Sequence, residues 1–95
     1  MTTVLGIDLT GRLVVVAGGG PAAARRTLAM LAARAQVRVV APALCEDLAE
    51  LAAAGDVSWR ADDVRPADLT GAWLVHAMTG DRGMDAAVAE WGSVG

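Results

Sequence analysis

The chain has 95 residues, 55% apolar but only 3% aromatic, and a formal charge of −3 with all eight basic residues arginine. That length makes one small domain, residues 1–95, whose core must be assembled from Val, Leu, Ala and Met. The scattered arginines argue against a nucleic-acid partner, no apolar run reaches the roughly 18 residues of a membrane span, and lone His76 and Cys45 offer no zinc spacing.

Residues 1–11 lack the basic start and apolar stretch of a signal peptide, and Cys45 has no second cysteine to pair with. Both point to a reducing, cytoplasmic setting. Leu13–Ala17 is a continuous β-branched run, the pattern of a strand covered on both faces. Gly18-Gly19-Gly20-Pro21 follows. Pro21 suits the first turn of a helix, where its missing N–H is not needed. The helix is expected over Pro21–Arg34, with an inward stripe near Ala24, Leu28, Leu31 and Ala35. Val37–Ala41 reads as a second buried strand, closed by Pro42. Leu44, Leu48 and Leu51 mark a second helix, capped at Gly55. Val57–Arg60 is a short third strand, and Asp62–Thr70 a polar loop or short helical turn. Ala72–Ala77 is a fourth strand, and Met84, Val88 and Trp91 fall on one face of a last helix.

Strand–helix alternation with short connections predicts an α/β fold, a Rossmann-like parallel sheet of four strands in order 3-2-1-4 with flanking helices. Ligand then belongs above the carboxyl ends of the first and fourth strands, at Gly18–Gly20 and His76–Asp81. The glycine turn fits G-x-G-x-x-A, with Gly18, Gly20 and Ala23 at the close-approach positions of a dinucleotide site. A pyrophosphate must reach main-chain N–H groups there, and a Cβ would hold it away. Gly18→Val is accordingly expected to weaken dinucleotide binding by about tenfold or more. The acidic residue that usually meets the adenosine ribose is missing, because the second strand ends Val39-Val40-Ala41-Pro42.

Other residues have plainer readings. Arg25 and Arg26 are read as a solvated helix face, the alternative being bidentate contacts to a carboxylated ligand. His76 is read as a packing residue, with proton transfer as its other possible role. Asp81 is expected to cap the last helix, the alternative being contact with the cofactor. Asp62 and Asp63 are read as solvated loop acids, the alternative being a weak hold on a metal, and Cys45 is expected to be a partly buried structural thiol. No metal site is expected. The fourth strand is expected to be an exposed, apolar sheet edge, because the sequence stops at Trp91-Gly-Ser-Val-Gly95 before a fifth strand.

Several motifs in order resemble the N-terminal NAD-binding module of siroheme synthase, the precorrin-2 dehydrogenase/sirohydrochlorin ferrochelatase family. They are Gly6-Ile-Asp-Leu-Thr-Gly11, Val14 through Arg26, Val39-Val-Ala-Pro42, Cys45 through Leu51, Ala67 through Ala77, and Thr79-Gly-Asp81. The resemblance implies NAD as cofactor, precorrin-2 as tetrapyrrole substrate oxidised to sirohydrochlorin, and in some members iron insertion. It places the cofactor on Gly18, Gly19, Gly20, Pro21 and Ala22, and on Pro42 and Ala43, with Thr79 toward the nicotinamide. The family's catalytic aspartate falls after a fifth strand, and its dimerisation domain lies further on. Neither is in this chain, so the sequence is expected to be a truncated module whose catalytic residue is unknown. The alternatives are a non-catalytic NAD-sensing or partner-binding module and an inactive fragment. A homodimer or partner chain covering the open edge belongs with any of these.

Overall fold

The computed structural model describes residues 8–94; Gly6 and Ile7 of the opening motif, and Gly95, lie outside them. The elements are β1 (Leu13–Ala17), α1 (Pro21–Ala32), β2 (Gln36–Val40), α2 (Glu46–Ala53), β3 (Ser58–Arg60), a 3-10 turn at Pro66–Leu69, β4 (Leu74–Ala77) and α3 (Arg82–Val94). The four strands form one sheet in the order β3-β2-β1-β4, and every pairing is parallel. No helix among the described residues is long and apolar enough to cross a membrane.

Alternation along β1 divides the core. Val14 and Val16 join Ala23 and Ala24 of α1, Val37 and Val39 of β2, and Leu48 of α2 on one face. Val15 and Ala17 join Val40, Val64 and Val88 of α3 on the other, with Met84 and Trp91 packed alongside. β1 is therefore buried on both sides, as its unbroken apolar run requires.

The helix over residues 21–34 is shorter than expected and differently rotated. Its buried residues are Ala23, Ala24 and Thr27, while Leu28, expected inside, is 49% exposed. Small side chains bring α1 close to the sheet just past the glycine turn, and this rotation puts the position after Thr27 outside. Two amides close the helix end: Arg34 N–H donates to the Leu31 carbonyl and Ala35 N–H to the Met30 carbonyl. The paired bonds put Arg34 at φ +65°, so it leaves the helix instead of extending it. α2 ends in the same motif, with Gly55 at φ +81° in the equivalent place and Asp56 N–H donating to the Leu51 carbonyl. The glycine cap expected at residue 55 is therefore present.

β4 lies at the end of the sheet, and its beginning is outlined by exposed Trp73 and Leu74. The Arg12 guanidinium sits 4.2 Å above the Trp73 ring, a cation–π contact at the start of the open edge.

Candidate cofactor cleft

At the carboxyl ends of the strands lies a cleft of about 420 Å³, lined by Gly18, Gly19, Gly20, Val40, Ala41, Pro42, Ala43, Asp63, Val64, Thr79, Asp81 and Met84. Three connections converge there: the β1–α1 turn, the chain after β2, and the chain after β4. The loop after β3 contributes Asp63 and Val64. The switch between β1 and β4, where crossovers leave the sheet in opposite directions, is where a parallel α/β sheet opens a crevice.

The glycines do different things. Gly18 has φ +148°, and a Cβ on it would run into the Met78 carbonyl of the chain after β4. A Cβ on Gly19 would run into the Ala43 carbonyl after β2. Each is bare so that a neighbouring connection can press against the turn. Gly18 N–H also donates to the Val40 carbonyl at 3.0 Å, and Cys45 N–H donates to the Gly19 carbonyl at 2.7 Å. The damage expected of Gly18→Val therefore comes first from collision with Met78, not from a blocked pyrophosphate. Gly20 alone of the three faces open space, with nothing within 4 Å of the point where a Cβ would stand. It is also the N-cap of α1, whose carbonyl receives the Ala24 N–H at 3.0 Å. The first-turn amides of Ala22 and Ala23 precede any intrahelical acceptor, and a helix start of this kind, with its dipole, suits an anion.

Of the residues assigned to the cofactor from the sequence, Gly18, Gly19, Gly20, Pro42, Ala43 and Thr79 line the cleft. Pro21 and Ala22 are exposed at the start of α1, immediately after its rim. Thr79 is firmly held: its N–H and Oγ1 both donate to Asp85 Oδ1, at 2.8 and 2.6 Å. Asp81 accepts the Met84 N–H at 2.9 Å and so caps α3, as expected, while also reaching the cleft wall. Cys45 is half-buried at the N-cap of α2.

His76 does not line the cleft. It is half-buried on β4 in register with Val16, and its Nε2 is buried without a hydrogen-bond partner. Burial, and secondarily the Arg26 charge, pull its pKa below the ordinary 6.5. The position on β4 fits the packing role expected from the sequence, but the satisfied ring expected there is not found, because Nε2 has no partner. Arg25 and Arg26 are exposed on α1 and stand outside the cleft wall.

Two features escaped the sequence reading. Asp63, read as a solvated loop acid, is a wall of the cleft. Its loop is clasped by Arg60, whose Nε and Nη2 donate to the two carboxylate oxygens of Asp68 at 2.5 and 2.6 Å. The same guanidinium donates to Asp62 at 3.2 Å and to the Asp63 carbonyl at 2.6 Å. Asp68 is 8% exposed and also accepts the Arg65 N–H at 2.8 Å. Hydrogen bonds from Arg60 hold its carboxyl below the usual carboxylate range, against the opposing effect of burial. Arg60 and Asp68 are eight residues apart across a loop, a pairing that no helical or strand period announces. Trp59 Nε1 donates to the Ala41 carbonyl at 2.9 Å and pins the end of β2 from the side.

Residues 5–93 match a protein-family model whose description reads "Putative NAD(P)-binding". The chain is 46% identical over 80 residues to siroheme synthase 3 of Aeromonas hydrophila, covering 84% of this chain and 17% of that protein. It is 43% identical over 76 residues to siroheme synthase of Photorhabdus laumondii, covering 80% of this chain and 16% of that one. Among solved structures it is similar to SirC, a precorrin-2 dehydrogenase, with a TM-score of 0.83 and 34% identity over 94% of this chain and 44% of that chain. The chain thus spans about a sixth of the siroheme synthases it matches. With the strand order, the glycine turn and the cleft at the switch point in agreement, the chain belongs to this NAD(P)-binding domain family, in the form found in siroheme synthases and precorrin-2 dehydrogenase.

Proposed function

We propose that this chain is the NAD-binding module of a precorrin-2 dehydrogenase, holding the oxidant while precorrin-2 is converted to sirohydrochlorin. The observation that carries the reading is Gly20, an open N-cap at the mouth of a cleft that reaches from Pro42 and Ala43 to Thr79. The pyrophosphate is assigned to Gly20 and the first-turn amides of α1, including Ala22, with Pro21 fixing the helix start. Gly18 and Gly19 shape the turn, the adenosine half lies along Pro42 and Ala43, and Thr79 flanks the nicotinamide half. When bound, the nicotinamide ring supplies a hydride acceptor. Thr79, braced by Asp85, fixes the wall beside it.

The relatives named for siroheme synthesis and precorrin-2 dehydrogenation support the tetrapyrrole as substrate, and a cytoplasmic location goes with it. The edge of β4, with Trp73 and Leu74 exposed, is the place for a second copy or partner chain.

Calorimetric titration of NAD⁺ into the folded chain tests the reading. Saturable binding is expected, and Gly20→Val is expected to weaken it at least about tenfold while leaving the fold intact. Absence of binding to the parent chain overturns the cofactor assignment. NADH appearance with precorrin-2, with and without the remaining part of a homologous dehydrogenase, then tests the reaction. Retained NAD⁺ affinity with no turnover in either case assigns the chain to nucleotide sensing instead.

A further inference from the structure

We infer that Asp63 reads the adenosine half of the dinucleotide and sets the preference for NAD⁺ over NADP⁺, an inference that rests on the cofactor reading above. Dinucleotide sites of this fold usually place an acidic residue at the end of the second strand, against the ribose hydroxyls. Here that strand runs into Ala41-Pro42-Ala43, which carry no side-chain acceptor. The loop after β3 supplies one from the neighbouring position. Ala41 N–H donates to the Arg60 carbonyl at 3.2 Å, so the ends of β2 and β3 lie side by side. Asp62 N–H donates to the same carbonyl at 3.0 Å and turns the chain, bringing Asp63 into the cleft wall with Ala41, Pro42 and Ala43.

On the β2–β3 side of the cleft the lining residues are Val40, Ala41, Pro42, Ala43, Asp63 and Val64. Asp63 is the one with a polar side chain. An ionised carboxylate only accepts hydrogen bonds, and the adenosine of NAD⁺ offers donors in its ribose hydroxyls and exocyclic amine. A 2′-phosphate offers no donor and adds negative charge. It would face Asp63 with no guanidinium in the wall to compensate. The nearby arginines are already engaged: Arg60 with Asp68 and Asp62, Arg65 with Asp62, and Arg38 with the Asp68 carbonyl at 2.8 Å. The clasp thus both presents Asp63 and removes the cations that a 2′-phosphate would need.

Asp63 is a clean position to vary. Asp63 is an exposed residue, and the bonds that hold it are made by its backbone: N–H to Asp62 Oδ1 at 2.8 Å, and carbonyl from Arg60. Asp63→Asn keeps the shape and removes the charge. Titrating NAD⁺ and NADP⁺ into both proteins, we expect the parent to bind NAD⁺ at least about tenfold more tightly. In Asp63→Asn the ratio should fall to within about threefold through gained NADP⁺ affinity, and Asp63→Glu should restore part of it. The parent's preference should also shrink as salt is raised, because the repulsion is screened. An unchanged ratio in Asp63→Asn, or equal binding of both dinucleotides by the parent, overturns the inference while leaving the cofactor reading standing. Binding of neither dinucleotide overturns both.

Discussion

His76 is held partly out of water on β4 with one ring nitrogen buried and unbonded, so its charged form is disfavoured in the folded chain. The unfolded chain binds a proton near the ordinary 6.5, while the folded chain does so only at lower pH. Between those two values the unfolded state holds more protons, so stability is full above 6.5 and declines as pH falls through the window. His76→Leu should abolish that decline. Urea midpoints at about pH 7.5 and about pH 5.5 would show it, and an equal drop in parent and variant would count against this account. Thr27 Oγ1 is a second buried atom without a partner, on the same helix as Arg26. At this scale the sequence showed which residue types matter but not their partners. Asp81 was readable as a cap because capping is local, three residues along the chain. Asp63 was not, because its place in the cleft depends on a clasp between β3 and the 3-10 turn.

The two helix ends on the α1–α2 side are a matched pair. Arg34 and Gly55 occupy the same left-handed position in the same hydrogen-bonded motif, at φ +65° and +81°. A side chain at such a position strains the backbone by roughly 1–2 kcal/mol, part of which glycine returns as unfolded-state freedom. Arg34→Gly should therefore stabilise the fold by about 0.5–1 kcal/mol, measured by chemical denaturation. Gly55→Ala should destabilise it by about 1 kcal/mol, although its Cβ position is open space. Destabilisation by Arg34→Gly would show that the arginine side chain does more than occupy the bend. The existence and type of the helices could be read from apolar spacing, and Val88 lies at the centre of the face expected for α3. The rotation of α1 could not. Leu28 and Thr27 are neighbours, and the preference for a small residue against the sheet outweighed the larger apolar gain of burying leucine.

Across the whole molecule, the strand order followed from alternation and right-handed crossovers, and the cleft followed from the strand order. What alternation did not convey is how tightly the three connections interlock. Met78 rests against Gly18 and Ala43 against Gly19, so the floor of the cleft is also a junction between β1, β2 and β4. Of the three glycines of the turn, only Gly20 allows binding and folding to be separated.

The indole of Trp73 stands more than half exposed at the start of β4, beneath the Arg12 guanidinium. Trp59 and Trp91 sit elsewhere, on β3 and α3, so a strand docking along this border would change the solvent around one fluorophore far more than around the others. Emission should move to the blue when such a strand docks, and Trp73→Leu should remove most of that change. The border thus carries its own optical gauge of assembly, readable without any added label.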